Sequence, residues 1–213
     1  MTGGGPRYEP REDVPAPDSL LLQPRLDRIE QVLKGRTRNF TLVLDQLEDA
    51  FNMAAVLRTC EAFGVQDVHV IENPNVPFKP NATVTQGCDK WLDLHHHKDF
   101  ASCRAALPGF RILASAAREG AQSLADISFD GKVALILGNE RFGVRQEVID
   151  QCDGYFWIPM RGFSQSLNIS AAASACVTRA RLGKEGDLSE AELQSLRERF
   201  QRLSVKQHKR LYK

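Results

Sequence analysis

Short apolar runs alternate with longer amphipathic stretches over most of this chain. Each run of four or five largely apolar residues predicts a buried strand, because a strand that is covered on both faces has no polar face. The run Val133–Leu137 is the most uniformly apolar of them, which predicts a central position in a sheet. The predicted strands are residues 40–44, 68–71, 111–114, 133–137 and 155–158.

Apolar residues at helical spacing predict helices between these strands. The predicted helices are residues 52–63, 99–107, 145–151 and 169–182. Alternation of strands and helices is typical of an α/β domain that has a mostly parallel sheet with helices on both faces. We expect such a domain over residues 39–182.

The two ends of the chain differ in composition from this domain. Residues 1–18 are rich in proline and glycine and poor in apolar side chains, which predicts a disordered tail. Residues 19–38 predict a short basic helix with Pro24 in its first turn and Gly35 after its end. Residues 183–213 predict a basic helical extension, in which Ser189 and Glu192 form a capping box for a helix from 190 to about 203.

Composition narrows the possible classes of protein. The 213 residues include 28 Lys and Arg against 27 Asp and Glu, so any nucleic-acid surface must come from local clustering of cations. No apolar run reaches the roughly 20 residues of a membrane span, and the N-terminal residues lack the apolar core of a secretory signal. The five cysteines are scattered. We therefore expect a cytoplasmic protein without a membrane segment, disulfide or bound metal.

Polar residues that follow the predicted strands are the candidates for chemistry, because ligands bind beyond the carboxyl ends of parallel strands. Glycine-rich phosphate loops are absent from the sequence, which gives no support to a dinucleotide or nucleoside-triphosphate site. Three segments remain: residues 52–59, 137–143 and 158–170. Each also has a purely structural interpretation. The first could be a helix capped by Asn52 with a solvated Arg58, the second a strand-to-helix turn, and the third a helix capped by Ser166 or Asn168. The third segment is longer than capping requires.

Together, these three segments resemble the sequence motifs of the SpoU-type RNA 2′-O-ribose methyltransferases of the SPOUT superfamily. Within that group the chain looks most like the TrmH-type tRNA (guanosine-2′-O-)methyltransferases. The matching patterns are N-x-x-A-x-x-R-T (52–59), L-G-x-E-x-x-G (137–143) and I-P-M-x-G-x-x-Q-S-L-N-x-S (158–170). The likeness covers about residues 24–182, with the motifs in order.

The resemblance implies a fold, an assembly and a cofactor. It implies an α/β domain whose C-terminal part forms a deep trefoil knot, flanked by terminal helices, and a homodimer that uses S-adenosyl-L-methionine. The residues that it assigns to cofactor binding are Ser115, Gly138, Ile158 and Leu167. The same resemblance implies no metal.

The implied reaction is methylation of a ribose 2′-oxygen in tRNA, at the D-loop guanosine at position 18. We expect Arg58 to bind the phosphate beside the target ribose, with Glu140 holding Arg58 by an ion pair. Asn52, Ser166 and Asn168 are expected to orient the ribose or the cofactor. The alternatives are another tRNA position, ribosomal RNA, or a largely non-catalytic RNA-binding module; the lack of a separate N-terminal RNA-binding domain favours tRNA over ribosomal RNA.

Two basic segments are predicted to contact RNA phosphates. The residues are Arg25, Arg28, Lys34, Arg36, Arg38, Lys206, Lys209 and Arg210. Residues 48–51 depart from the family pattern, because Glu-Asp-Ala-Phe stands where relatives usually carry His-Lys-Pro-His; this change leaves the target nucleotide open.

Two further features have ordinary structural interpretations. Residues 95–97 are three consecutive histidines, which we interpret as a strand end at the surface because neighbouring residues alternate faces and no further ligand cluster is evident. Cys60 is interpreted as buried packing rather than a nucleophile.

Overall fold

The structure, a computed structural model, describes residues 15–74 and 87–206. Its core is one sheet of seven strands, in which every pairing is parallel. The strands are β1 (Phe40–Asp45), β2 (Asp67–Ile71), β3 (Asp93–His97), β4 (Arg111–Ser115), β5 (Gln122–Ser123), β6 (Val133–Leu137) and β7 (Gly154–Trp157), in the spatial order β3-β2-β1-β6-β4-β7-β5. The expectation of a mostly parallel α/β sheet is confirmed.

Helices lie between these strands in the chain and also before the first and after the last of them. They are α1 (Gln23–Leu33), α2 (Ala50–Ala62), α3 (Phe100–Ala105), α4 (Gln146–Ile149), α5 (Ile169–Arg181) and α6 (Glu190–Ser204). Each predicted helix is present within a few residues of its expected bounds. Strand β5 was missed because two residues are too short to leave a pattern. Strand β3 was expected only as a strand end at residues 95–97, because its Asp-Leu-His-His-His sequence has no apolar run.

The sheet separates two apolar layers, which confirms helices on both faces. One layer packs α2 and α5 against alternate residues of β1 and β6, including Leu42 and Leu135. The other packs α3 and α4 against the opposite side of the same strands, including Val43 and Ile136. Strand β6 lies between β1 and β4 and is buried at every residue, as its uninterrupted hydrophobicity predicted.

The terminal segments, residues 15–34 and 189–206 of the described chain, form a unit of their own. Helices α1 and α6 pack together, and Arg197 forms a two-point ion pair with Glu30 at 2.6 and 3.0 Å. The capping box of Ser189 and Glu192 is confirmed. Residues 1–14 lie outside the described chain, and Pro17–Leu20 forms a 3₁₀ helix where a disordered tail was expected.

Within the described residues, no helix has the length and apolarity that a membrane crossing requires. The trefoil knot stays a prediction of the resemblance.

Candidate active site

A cavity of about 670 Å³ opens at the carboxyl ends of β4, β6 and β7. This is the edge at which parallel sheets bind ligands, and the volume is that of a small-molecule site. Its floor is apolar, formed by Leu137, Phe156 and Ile169, and three loops surround it. Among the described residues, its charged lining side chains are Glu140 and Arg141.

The cavity brings together most of the residues that the sequence singled out. All four predicted cofactor-binding residues line it: Ser115, Gly138, Ile158 and Leu167. Four of the five predicted reaction residues line it as well: Asn52, Glu140, Ser166 and Asn168. Arg58, the fifth, is not among the lining residues.

A chain of side-chain hydrogen bonds joins the three motif segments at this cavity. Asn52 Nδ2 donates to Glu140 Oε1 at 3.0 Å. Asn168 Nδ2 donates to Asn52 Oδ1 at 3.0 Å, and Asn168 Oδ1 accepts from the Ser170 backbone N–H at 2.9 Å. Each amide therefore has both its donor and its acceptor sides engaged, so the carboxylate of Glu140 and the start of α5 are held in a fixed relation.

The structure corrects the expected role of Asn52 as a helix cap. Helix α2 begins two residues earlier, and its N-cap is Asp49, whose side chain accepts from the Phe51 N–H at 2.7 Å. Asn52 lies inside the first turn, so its side chain points outward to the other two motifs. The N-cap of α5 is Asn168, one of the two residues expected there.

The loop after β6 is a tight turn that depends on its two glycines. The backbones of Asn139 and Gly143 exchange hydrogen bonds of 3.0 and 2.8 Å. A Cβ atom at Gly138 would lie 2.0 Å from Gly143 C and Val144 N, and Gly143 has a φ of +70°. Residue 138 must therefore be glycine because the backbone of residues 143 and 144 packs against its Cα atom. Gly138 also lines the cavity.

Two contacts, which sequence reasoning missed, anchor this loop to the end of β1. Asp45 is fully buried and accepts hydrogen bonds from the Arg145 backbone N–H at 3.1 Å and from its guanidinium at 2.8 Å. Although desolvation opposes it, the hydrogen bonds to Asp45 raise the pKa of Arg145. Asn139 Nδ2 donates to the carbonyl of Gln46, whose φ of 54° turns it toward the loop. The sequence did contain an indication of this anchor, because Asp45 is an acidic residue at the end of a largely apolar strand.

Arg58 lies away from the cavity of its own chain. It is exposed on α2, and six residues beyond Asn52 place it roughly 9 Å further along the helix on another face. Within the described chain Glu140 accepts from Asn52 at 3.0 Å, and the expected ion pair between Glu140 and Arg58 stays a prediction.

Several large apolar side chains that line the cavity or adjoin its lining residues in sequence are exposed. Phe51, Phe142 and Phe163 are 68%, 76% and 109% exposed, and Trp157 and Leu167 are about two-fifths exposed. An apolar patch of this kind, rimmed by polar loops, is typical of an interaction surface.

Two of the cations predicted to contact RNA form ion pairs within the chain. Arg36 is 1% exposed and pairs with Glu61 at 2.8 Å. Arg38 is half-buried and pairs with Asp67 and Asp93 at 2.6 and 2.5 Å. The guanidinium of Arg36 is enclosed and cannot reach a phosphate, so that assignment is wrong. Arg38 keeps 29% of its side chain exposed, and its assignment stays a prediction.

The other predicted RNA contacts that the structure describes belong to the terminal unit. Arg25, Arg28, Lys34 and Lys206 are exposed. Lys209 and Arg210 lie outside the described residues. These predictions stay open.

The interpretation of Cys60 as buried packing is confirmed. Cys60 is fully buried, and burial raises the pKa of its thiol to about 12, so it is protonated and enclosed at neutral pH. The interpretation of residues 95–97 as a surface strand end is only partly right. They do end β3, but His97 is 9% exposed and hydrogen-bonds to His69.

The chain is similar in sequence to proteins of known family. Residues 39–178 match the SpoU rRNA methylase family. A tRNA (guanosine(18)-2′-O)-methyltransferase of Borreliella burgdorferi is 37% identical over 188 residues, which are 85% of this chain and 86% of that protein.

Two solved structures are similar as well. The TrmH/SpoU tRNA modifying enzyme of A. aeolicus superposes with a TM-score of 0.77 at 26% identity, covering 86% of this chain and 98% of that one. A structure described for 2-OH methylation of C/U34 on tRNA superposes with a TM-score of 0.58 at 33% identity, over 66% of this chain and 93% of that one.

Proposed function

The chain belongs to the SpoU rRNA methylase family, and on that premise we propose that it methylates the ribose 2′-oxygen of guanosine 18 in the D-loop of tRNA with S-adenosyl-L-methionine. The observation that carries the proposal is the hydrogen-bonded chain of Glu140, Asn52 and Asn168 beside the cavity. A simple binding module has no need of this arrangement. Relatives named for guanosine 18 of tRNA support the substrate.

The cavity fits the proposed cofactor. S-adenosyl-L-methionine carries an adenine, which requires an apolar slot and backbone partners, and no pyrophosphate that would require a glycine-rich phosphate loop. Leu137, Phe156 and Ile158 supply apolar walls, and the exposed backbone at Gly138 and Leu167 supplies polar groups. Ser115 lies at the end of β4 on the same side.

When bound, the cofactor supplies a methyl group on a sulfonium whose positive charge activates the leaving group. The protein has to align the ribose and lower the cost of losing the hydroxyl proton. Asn52 and Asn168 fix the Glu140 carboxylate at the cavity mouth, and Ser166 offers a hydroxyl on the neighbouring loop. These side chains orient the ribose relative to the cofactor.

Arg58 is proposed to hold the phosphate beside the target ribose. A guanidinium stays protonated and does not act as a simple base, whereas its planar pair of donors matches a phosphate and stabilises developing negative charge on the 2′-oxygen. Arg58→Lys should therefore lose most methyl transfer while cofactor affinity, measured by calorimetry, stays unchanged. Nearly full turnover in this variant would contradict the two-point role.

We propose that Arg58 acts at the cavity of a second copy in a homodimer. Arg58 lies outside its own cavity, and the exposed Phe51, Phe142 and Phe163, which adjoin cavity-lining residues in sequence, are suited to burial against another subunit. In this arrangement each site takes its cavity from one chain and its guanidinium from the other.

Mixing two inactive variants tests this arrangement. Arg58→Ala and Asn168→Ala, unfolded and refolded together, should recover about a quarter of wild-type activity, because half of the dimers contain one intact site of two. A mixture of Arg58→Ala with the Arg58→Ala/Asn168→Ala double variant is the control and should stay inactive. Absence of recovery in the first mixture, with mixed dimers demonstrated, would place Arg58 in its own chain's site or outside catalysis.

Another tRNA position is the second candidate target. It is supported by the similar structure that is described for methylation of C/U34 and by Glu48 and Asp49, which replace basic residues beside the site. An RNA-binding role without catalysis is distinguished by titration with S-adenosyl-L-methionine, which would then show no binding.

A further inference from the structure

Two histidines and a cysteine converge at the β2–β3 edge of the sheet, away from the cavity. They are His69 on β2, His97 on β3 and Cys103 on α3, and their nearest ligand atoms all lie within 4.8 Å of one another. His69 and Cys103 are buried, and His97 is 9% exposed. None of the three lines the cavity.

The backbone holds the three ligand atoms on rigid elements. Strands β2 and β3 pair in parallel with Ile71 opposite His97, which places His69 on the same face of the sheet as His97. The turn from β3 into α3 is fixed by Asp99, whose side chain accepts from the Ser102 N–H at 2.8 Å. This turn brings Cys103 over the two rings.

Two imidazole nitrogens and one sulfur favour one class of metal ion. Imidazole nitrogen and sulfur are ligands that Zn²⁺ and related d-block ions prefer, whereas Ca²⁺ and Mg²⁺ require oxygen donors. Around a tetrahedral ion, Zn–N bonds of about 2.0 Å and Zn–S bonds of about 2.3 Å place ligand atoms about 3.3 to 3.7 Å apart. His69 Nδ1 and His97 Nε2 are 2.9 Å apart. When the N–H proton between them moves to the other nitrogen of its own ring, both lone pairs face the same point, and an ion bound there requires only a small separation of the rings.

We propose that His69, His97 and Cys103 form a binding site for Zn²⁺ that joins the edge strand β3 and helix α3 to the sheet. Metal ions bind the neutral form of imidazole, and the two rings already face each other across the 2.9 Å contact. Cys103 gives up its thiol proton to water when its sulfur binds the ion. A water molecule completes the coordination, since the described residues add no fourth ligand to the cluster.

The site is structural and independent of methyl transfer. Zn²⁺ is therefore expected to raise the melting temperature of the whole protein and to leave the rate of tRNA methylation unchanged. This separates the inference from the proposed function, because each can fail while the other holds.

The test uses the full chain, freed of metal by a chelator and titrated with Co²⁺ as a spectroscopic stand-in for Zn²⁺. One equivalent should bind with a sulfur-to-cobalt charge-transfer band, and added Zn²⁺ should remove that band. Cys103→Ser should abolish the band and weaken Zn²⁺ binding by about tenfold or more. The matched control Cys152→Ser, at a half-buried thiol on the same side of the sheet, should keep both.

A second variant covers the case in which Cys103→Ser does not fold. His97→Gln should weaken Zn²⁺ binding to a similar degree, whereas His96→Gln, at the neighbouring residue that faces the other side of the strand, should not. Absence of the band in the wild-type protein, or equal Zn²⁺ affinity in wild type and in the Cys103 and His97 variants, would overturn the proposal.

Discussion

Asn52 Nδ2 donates a 3.0 Å hydrogen bond to Glu140 Oε1 across 88 residues of sequence. The bond joins the first turn of α2 to the loop after β6, and Asn168 extends it to the start of α5. Three segments that are far apart in the chain thus meet at one point of the cavity. The geometry of the proposed reaction depends on this meeting point.

Removing the side-chain amide of Asn52 should lower the rate of methyl transfer more than it lowers the free energy of unfolding. Asn52→Ala leaves Glu140 and Asn168 without their shared partner, and we expect kcat for methyl transfer to fall by about 10²- to 10³-fold. The measurement is steady-state kinetics with tRNA and labelled cofactor. The control is Asn39→Ala, at an asparagine remote from the cavity lining; an equal loss in both variants would show that the effect is not specific to the network.

The ion pair between Asp45 and Arg145 should govern cofactor affinity through the loop that it holds. Arg145→Lys keeps the charge but loses the two-point contact with a fully buried carboxylate. We expect weaker binding of S-adenosyl-L-methionine by calorimetry, together with a lower free energy of unfolding.

Arg38→Lys is the matched control for this prediction. Arg38 also makes a forked contact, with Asp67 and Asp93, but on strands that do not form the cavity. It should lower stability and leave cofactor affinity unchanged. Unchanged affinity in Arg145→Lys would mean that the loop keeps its position without the ion pair.

A methyl group at residue 138 should disrupt the site directly. In Gly138→Ala the added Cβ would lie 2.0 Å from the backbone of residues 143 and 144, and backbone atoms cannot move aside without displacing the loop. We expect a lower melting temperature and at least about tenfold weaker cofactor binding. Gly131→Ala is the control, because its added Cβ meets nothing within 4 Å and its φ of +74° makes it costly through backbone strain alone. It should lower the melting temperature and leave cofactor affinity unchanged.

Substitution of the buried cation Arg36 should lower the stability of the protein without changing its affinity for tRNA. Arg36→Ala leaves Glu61 without its buried partner and should lower the free energy of unfolding by about 3 kcal/mol. Affinity of the folded protein for tRNA should not change. Chemical denaturation and filter binding measure the two quantities; reduced tRNA affinity in a folded variant would restore Arg36 as an RNA contact.

The exposed cations of the terminal unit should behave in the opposite way. Arg28→Ala combined with Lys206→Ala should weaken tRNA binding and reduce the slope of affinity against salt by about one per lost contact. The melting temperature should stay close to that of wild type. An unchanged slope would mean that these exposed side chains do not meet phosphates.

Sequence reasoning succeeded where one short segment carries enough information. The uniform hydrophobicity of Val133–Leu137 was sufficient to predict a central buried strand, because a strand that is covered on both faces is apolar at every residue. The cavity-lining residues were likewise identified by motif segments that each lie in one stretch of chain.

It failed where a side chain's role depends on a distant partner. Arg36 looked like an RNA contact beside other cations, yet its buried guanidinium pairs with Glu61, which is 25 residues away. The same limit hid the contact of Asp45 with Arg145 and that of His69 with His97. These pairings follow from the parallel order of the strands, which no local pattern encodes.

The most direct test of the central claim is to locate the methyl group that the protein adds to tRNA. The full chain is incubated with labelled S-adenosyl-L-methionine and either an unmodified tRNA transcript or the same tRNA with 2′-deoxyguanosine at position 18. We expect one 2′-O-methyl group at guanosine 18 of the first RNA and no transfer to the second. Equal transfer to both RNAs would contradict the assignment of the nucleotide, and absence of transfer to either, with an active relative as positive control, would contradict the proposed reaction.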